Sequence, residues 1–376
     1  MGPGESQRNP TILGGNKFKL AVFGSNCSGG RAATTVPERW PNSWEGNRRL
    51  ALMCDEAGIE CMVPIGRWKG YGGKTDFEGR TFETITWACG LLACTRRLTV
   101  FGTVHVPIFH PVLAAKQMVT ADHIGRGRFG LNIVCGWNQD EFDMFGTRQD
   151  SHEDRYVRGQ EWWDIVRRIW AGEGPFDYDG RYYHLRNVIG APLPWGGKRP
   201  VMMNAGSSDT GRLFAARNSD LLFDQPYFLD KARERIAQAQ QIAAEHGHSV
   251  QVFTSGSVVC RPTQQEADDY FHYFARENAD EAAIDGMFRV SFTPGNSRAL
   301  TAETAQAIRT RFAAGYGGML AVGDPDHVAG ELKKLADAGF AGFAFSFVNY
   351  TDELPFFVQE VLPRLERMGL REPLRA

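Results

Sequence analysis

Short apolar runs alternate with amphipathic stretches along nearly the whole chain. FKLAVFGS at residues 18–25 reads as a buried strand. Leu50, Met53, Cys54 and Ala57 then recur at helical spacing up to Gly58, a C-terminal stop. The same alternation predicts strands at residues 59–64 (IECMVP), 97–104 (RLTVFGTV), 128–137 (RFGLNIVCGW), 200–206 (PVMMNAG), 220–223 (DLLF), 250–260 (VQVFTSGSVVC) and 340–345 (FAGFAF). Helices fall between them. One starts at Pro111, where a missing N–H costs nothing, and another at the Asp324-Pro325 cap. The last carries Leu354, Phe357, Val358, Val361, Leu362 and Leu365 on one stripe, and Pro363 should kink it. FDYDGRYYHL, at residues 176–185, has a D-G turn between aromatic arms and reads as an inserted hairpin.

Eight apolar strands alternating with helices predict an α/β fold, a (β/α)8 TIM barrel with insertions at its C-terminal face. A doubly wound open sheet gives a similar alternation and stays as the competing architecture. Residues 1–17 are polar and Gly/Pro-rich and read as a flexible tail. Residues 18–376 read as one barrel domain. About 279–317 breaks the alternation and reads as an insertion over the barrel mouth.

Composition narrows the function classes. A net charge of −2 gives no basic surface for nucleic acid, and no apolar run is long enough to span a bilayer. The N-terminus lacks the basic and apolar regions of a secretory signal, so a cytoplasmic protein is expected. Seven cysteines, none in a C-x-x-C pair, read as reduced core residues rather than a zinc site. His105 and His110 flank an apolar turn without a metal-binding pattern, and no metal is expected.

Barrel chemistry sits at the C-terminal ends of the strands. Gly206, Ser207 and Ser208 lie between a strand and a helix, where free N–H groups and hydroxyls converge on an anion; the alternative is an ordinary N-cap. Arg155 and Tyr156 open a helix and could hold the same phosphate, or form a solvated helix start. Asn132 lies within the fourth strand and Trp137 at its end. A buried amide must find partners, and a fused ring with amide-like edges supplies them. Glu141 reads as a polar anchor or a surface carboxylate. Gly66, Arg67 and Trp68 begin a Gly-rich loop able to cover a cofactor or to remain a mobile surface loop.

Together these segments resemble the bacterial luciferase-like flavin-dependent monooxygenases, in the branch that holds pyrimidine and dimethylsulfone monooxygenases. The likeness rests on SNCSGG (25–30), KGYGGKTDF (69–77), GRFGLNIVCGWNQDEF (127–142), Arg155-Tyr156, FDYDGRYY (176–183) and AGSSDTG (205–211), and weakens after about residue 223. It implies a homodimer or homotetramer that takes reduced FMN from a separate NAD(P)H:flavin reductase and O2 as co-substrate. A flavin peroxide, formed at N5 in some members of the branch, would then oxygenate a small organic substrate. A sulfone, a cyclic amide or an N-heterocycle would be cleaved at a carbon–heteroatom bond. By position, Gly66, Arg67, Asn132 and Glu141 would contact the flavin. Arg155, Tyr156, Ser207 and Ser208 would hold its phosphate. Thr103, Asn132, Trp137 and Val63 would shape the oxygen pocket. Arg67 replaces a Lys of the pyrimidine enzymes. An F420- or FMN-linked dehydrogenase on the same barrel and a non-catalytic flavin- or solute-binding protein are the alternatives.

Overall fold

A computed structural model describes residues 11–206, 208–225, 229–291 and 302–374. The strands are β1 (Lys19–Phe23), β2 (Cys61–Val63), β3 (Thr99–His105), β4 (Phe129–Val134), β5 (Phe176–Asp179), β6 (His184–Val188), β7 (Val201–Asn204), β8 (Leu221–Phe223), β9 (Gln251–Cys260), β10 (Met319–Gly323) and β11 (Gly342–Ser346). The helices are α1 (Trp44–Ala57), α2 (Thr84–Cys94), α3 (Pro111–Ile124), α4 (Gln139–Met144), α5 (His152–Ala171), α6 (Asp209–Asn218), α7 (Ala232–Glu245), α8 (Gln264–His272), α9 (Glu281–Ser291), α10 (Ala302–Gly315), α11 (Pro325–Asp337), α12 (Tyr350–Glu360) and α13 (Leu362–Arg367). No helix among the described residues is long and apolar enough to cross a membrane.

Strands β9, β11, β1, β2, β3, β4, β7 and β8 are parallel neighbours in that order, and β8 pairs back with β9. This closes the eight-stranded barrel and excludes the open sheet. The hairpin β5–β6 stands apart as an antiparallel pair, as its D-G turn predicts.

Local signals set the helix ends. Gly58 closes α1 at φ 70°, a left-handed conformation that glycine adopts without a Cβ clash. Asp324 caps α11 by accepting from the His327 N–H at 2.8 Å. The final stripe breaks at Val361 into α12 and α13, with Pro363 in the first turn of the second.

The core has three parts. Helices pack on the outside of the barrel through residues such as Leu91, Met118, Trp162 and Leu332. The barrel interior is filled by Ala21, Cys61, Val63, Phe101, Met203, Leu221, Phe223 and Phe253. A third cluster joins α8, α9 and α10 to the loops after β1 and β2 through Ala33, Tyr71, Phe77, Phe274 and Met287.

Two expectations change. The flexible tail does not extend to residue 17: Thr11–Leu13 forms a 3-10 turn whose Ile12 is fully buried in the barrel interior. The Thr11 hydroxyl bonds the carbonyls of Glu60 and Arg97, at 2.8 and 2.9 Å, so this turn plugs the N-terminal end of the barrel. Strand β10 was not expected. It pairs with the outer half of β9, Met319 opposite Gly256 through Gly323 opposite Cys260, while the inner half of β9 pairs with β8. Of the insertion, residues 292–301 lie outside the described residues. Its helices α9 and α10 pack on the β1 and β2 loops, where Ala33 bonds the Ala313 carbonyl at 2.8 Å and Asp280 accepts from Thr75 at 2.8 Å.

Candidate active site

The mouth is built on the C-terminal ends of β1 to β4 and β7. On β3, alternation turns Phe101 into the barrel interior and places Thr103 and His105 on the same face, nearer the mouth. Thr103 stands opposite Asn132 of β4. The Thr103 hydroxyl donates to the Pro64 carbonyl at 2.8 Å and accepts from Asn132 Nδ2 at 3.2 Å. Asn132 Oδ1 and His105 Nδ1 are both buried without a hydrogen-bond partner. Burial, reinforced by the Arg67 charge and opposed by that of Glu141, holds the His105 imidazole down to about 4, so it is neutral at ordinary pH. Gly66 lies against this pair: a Cβ there would sit 2.7 Å from His105 Cε1 and 3.0 Å from Thr103 Cγ2. Val63 is buried in the barrel interior, one layer below.

Above this floor runs a buried chain of charges. Glu78 accepts from Arg31 at 2.8 Å and from Arg67 Nε at 3.0 Å, and Arg67 Nη1 donates to Glu141 at 3.1 Å. Glu141 also accepts from the Trp68 backbone N–H at 2.9 Å, which pins the turn after β2. It is buried, so the surface-carboxylate reading of Glu141 is excluded. Arg67 lies over the Tyr71 ring at 4.7 Å and the Trp137 ring at 5.5 Å; Arg31 lies between Phe23 and Tyr316. Trp137 is not the end of a strand. β4 stops at Val134, the chain turns at Gly136, and the indole is 37% exposed above Arg67.

Beside β4, strand β7 leads into α6. Ser208 caps α6, accepting from the Gly211 N–H at 3.1 Å. Its hydroxyl is 3.0 Å from His152 Nε2 and 3.4 Å from the Tyr156 hydroxyl. Gly211 has no room for a side chain, because a Cβ would collide with the Tyr156 hydroxyl and with Gly206. Arg155 donates to the Gly136 carbonyl at 2.7 Å, and its Nε is buried without a partner. Ser207 lies outside the described residues.

The sequence-derived candidates thus gather in two adjoining clusters. Thr103, Asn132, Gly66 and Val63 lie at the floor with Arg67, Glu141 and Trp137 above; Tyr156 and Ser208 lie at α6, with Arg155 beside them. Four residues were missed. His152 and Tyr156 are four apart at the start of α5, so helical spacing could have found His152. Glu78 and Arg31 carried no local signal, since each becomes polar lining only through the other. The sequence places His105 at a strand end where barrel chemistry sits, but gives it no role beyond a metal pair with His110 that lacks a metal-binding pattern. Its presumed partner His110 instead caps α3 and packs against Tyr183.

A closed parallel barrel with buried polar groups at the strand ends and hydroxyls at a helix N-terminus defines a ligand-binding barrel of the enzyme type. Residues 19–342 match the model of the luciferase-like monooxygenases, and the chain belongs to that family. It is 28% identical over 355 residues to an FMNH2-dependent dimethylsulfone monooxygenase of Pseudomonas fluorescens, covering 93% of this chain and 95% of that protein. It is 26% identical over 341 residues to the pyrimidine monooxygenase RutA of Caulobacter vibrioides, covering 88% and 94%. Among solved structures, DmoA from Hyphomicrobium sulfonivorans superposes with a TM-score of 0.85 at 18% identity, covering 96% of this chain and 90% of that one. Riboflavin lyase RcaE superposes with a TM-score of 0.82 at 20% identity, covering 96% and 94%.

Proposed function

We propose that this protein is the oxygenase of a two-component system. It takes reduced FMN from a separate NAD(P)H:flavin reductase and uses O2 to oxygenate a small organic molecule. The observation that carries the reading is the pairing of two unlike polar clusters on neighbouring strands. One presents the unpartnered acceptor Asn132 Oδ1 and the imidazole of His105 at the barrel floor. The other gathers Ser208, Tyr156 and His152 at the N-terminus of α6. A molecule with a flat, amide-edged ring at one end and a phosphate at the other satisfies both, and FMN is such a molecule. The named relatives, FMNH2-dependent in the case of the sulfone enzyme, support the same choice.

When bound, reduced FMN supplies the two electrons with which O2 is split, one oxygen atom going to the substrate and the other to water. The chain's own groups bind, orient and exclude water. Ser208, Tyr156 and the α6 N-terminus hold the phosphate, with Arg155 Nε available beside them. Gly66 lets the β2 turn approach the ring, and Glu141 and Arg67 hold that turn in place. Val63 and Phe23 give the floor an apolar wall that keeps water from the reacting centre. The arginines of the mouth are balanced by Glu78 and Glu141, so the pocket offers no net positive charge to an anionic substrate. A neutral sulfone, cyclic amide or N-heterocycle, cleaved at a carbon–heteroatom bond, fits that balance.

Purified protein, supplied with chemically reduced FMN and O2, should convert at least one member of such a panel, with product absent when either FMNH2 or O2 is withheld. Product formed under strict anaerobiosis would favour a hydride-transferring dehydrogenase. Flavin binding with no turnover on any member would favour a carrier.

A further inference from the structure

Hydrogen-bond bookkeeping at β3 and β4 determines which way the Asn132 amide faces. The Pro64 carbonyl can only accept, and it lies 2.8 Å from the Thr103 hydroxyl. Thr103 must therefore spend its single proton there; turned away, two oxygen lone pairs would face each other at that distance. The hydroxyl oxygen is left as an acceptor, and its other neighbour, 3.2 Å away, is the Asn132 amide. That amide must turn its NH2 toward Thr103. Its Oδ1 is then presented to the mouth, buried and without a partner. The Thr103 backbone is fixed independently: the Thr84 hydroxyl accepts from its N–H at 3.1 Å and donates to its carbonyl at 2.7 Å.

We propose that Pro64 and Thr103 lock Asn132 as a hydrogen-bond acceptor, and that this lock makes the site select reduced over oxidised flavin. Oxidised isoalloxazine carries a bare ring nitrogen at a position that becomes N–H on two-electron reduction. Set against that nitrogen, an amide oxygen that cannot turn would pair with the N–H of the reduced ring and oppose the bare nitrogen of the oxidised one, leaving two buried acceptors facing each other. Thr103 is a positioning residue in this account: it acts through Asn132. An oxygenase supplied with FMNH2 from outside gains from the lock, because the spent, oxidised cofactor is released.

The inference rests on the flavin reading above, and the test separates the two. Dissociation constants for FMNH2 and FMN are measured anaerobically by titration on the intact protein and on two variants. The wild type should bind the reduced form more tightly. Thr103→Val keeps the shape and the Thr84 clamp but frees the Asn132 amide to turn, and the ratio of the two constants should fall by about tenfold, the scale of one hydrogen bond. Thr103→Ser, which keeps the hydroxyl, should hold the ratio within about twofold. The midpoint potential of bound FMN provides a second readout that a loss of general affinity would not move. It should drop by about 30 mV in Thr103→Val, the two-electron equivalent of that tenfold change. Equal ratios in the wild type and Thr103→Val, with both still binding flavin, would overturn the lock. A wild type that binds neither form would overturn the flavin reading itself, and the inference with it.

Discussion

Between β2 and β4 the charged side chains are paired before any ligand arrives. Arg67 and Glu141 expose only 5% and 1% of their side chains and bond each other, and Glu78 closes the chain to Arg31. At the start of α6 the reverse holds. His152 keeps 39% of its side chain exposed, and the hydroxyls of Ser208 and Tyr156 share one loose cluster. The contrast follows from solvation. A charge buried without a partner costs several kcal/mol, so the inner region has to be complete in the folded chain. Half-buried donors that still reach solvent can bond water until an anion displaces it, so the outer region can wait. Stability should therefore reside in the first region and charge-dependent ligand affinity in the second.

The sharpest way to break this comparison is to open the inner network. Glu78→Gln removes the charge shared by Arg31 and Arg67 while keeping the shape, and should cost about 3–5 kcal/mol in urea unfolding. A loss under about 1 kcal/mol, the value of an exposed pair, would mean that water already reaches the network.

A smaller effect comes from His105, held down to about 4 by burial, against about 6.5 in an unfolded chain. Between those values the unfolded chain takes up a proton that the folded chain refuses. Stability therefore falls as pH drops from about 6.5 toward 4, by up to ~3 kcal/mol. His105→Gln should remove that part of the acid loss, which paired unfolding curves at several pH values would show. Parallel acid limbs for the two proteins would place the imidazole in solvent.

The smallest effect belongs to the outer region. Tyr156→Phe should weaken FMN binding by about three- to tenfold while leaving stability nearly unchanged. Riboflavin, which lacks the phosphate, should bind both proteins equally. Equal weakening of both ligands would move Tyr156 from the phosphate to the ring.

The legibility of the two regions in the sequence differed for the same reason. The outer cluster is local: Ser208 caps a helix that starts at the next residue, and Tyr156 sits in the first turns of α5, so cap and spacing rules reach both. The inner network joins the loop after β1, the long loop after β2 and the helix α4. Glu78 sits at φ 55° in a Gly-rich stretch where no periodicity announces burial, and it became visible as a site residue only when Arg31 and Arg67 met it. Thr103 and Asn132 were legible as polar residues on apolar strands. Their division of labour was not, because it depends on the carbonyl of Pro64 from a neighbouring strand end.

What the chain determined by itself is its alternation, its punctuation and its family. Eight apolar runs, the stops at Gly58 and Pro363, the cap at Asp324 and the collinear motifs up to about residue 223 are properties of short windows, where backbone sterics and side-chain period act directly. Tertiary structure alone decided the closure of β8 onto β9, the pairing of β10 with the outer half of β9, the plug made by Ile12 and the direction of the Asn132 amide. Each of these depends on a partner distant in sequence. Desolvation, which decides whether a polar group must be paired, exists only once those partners have come together.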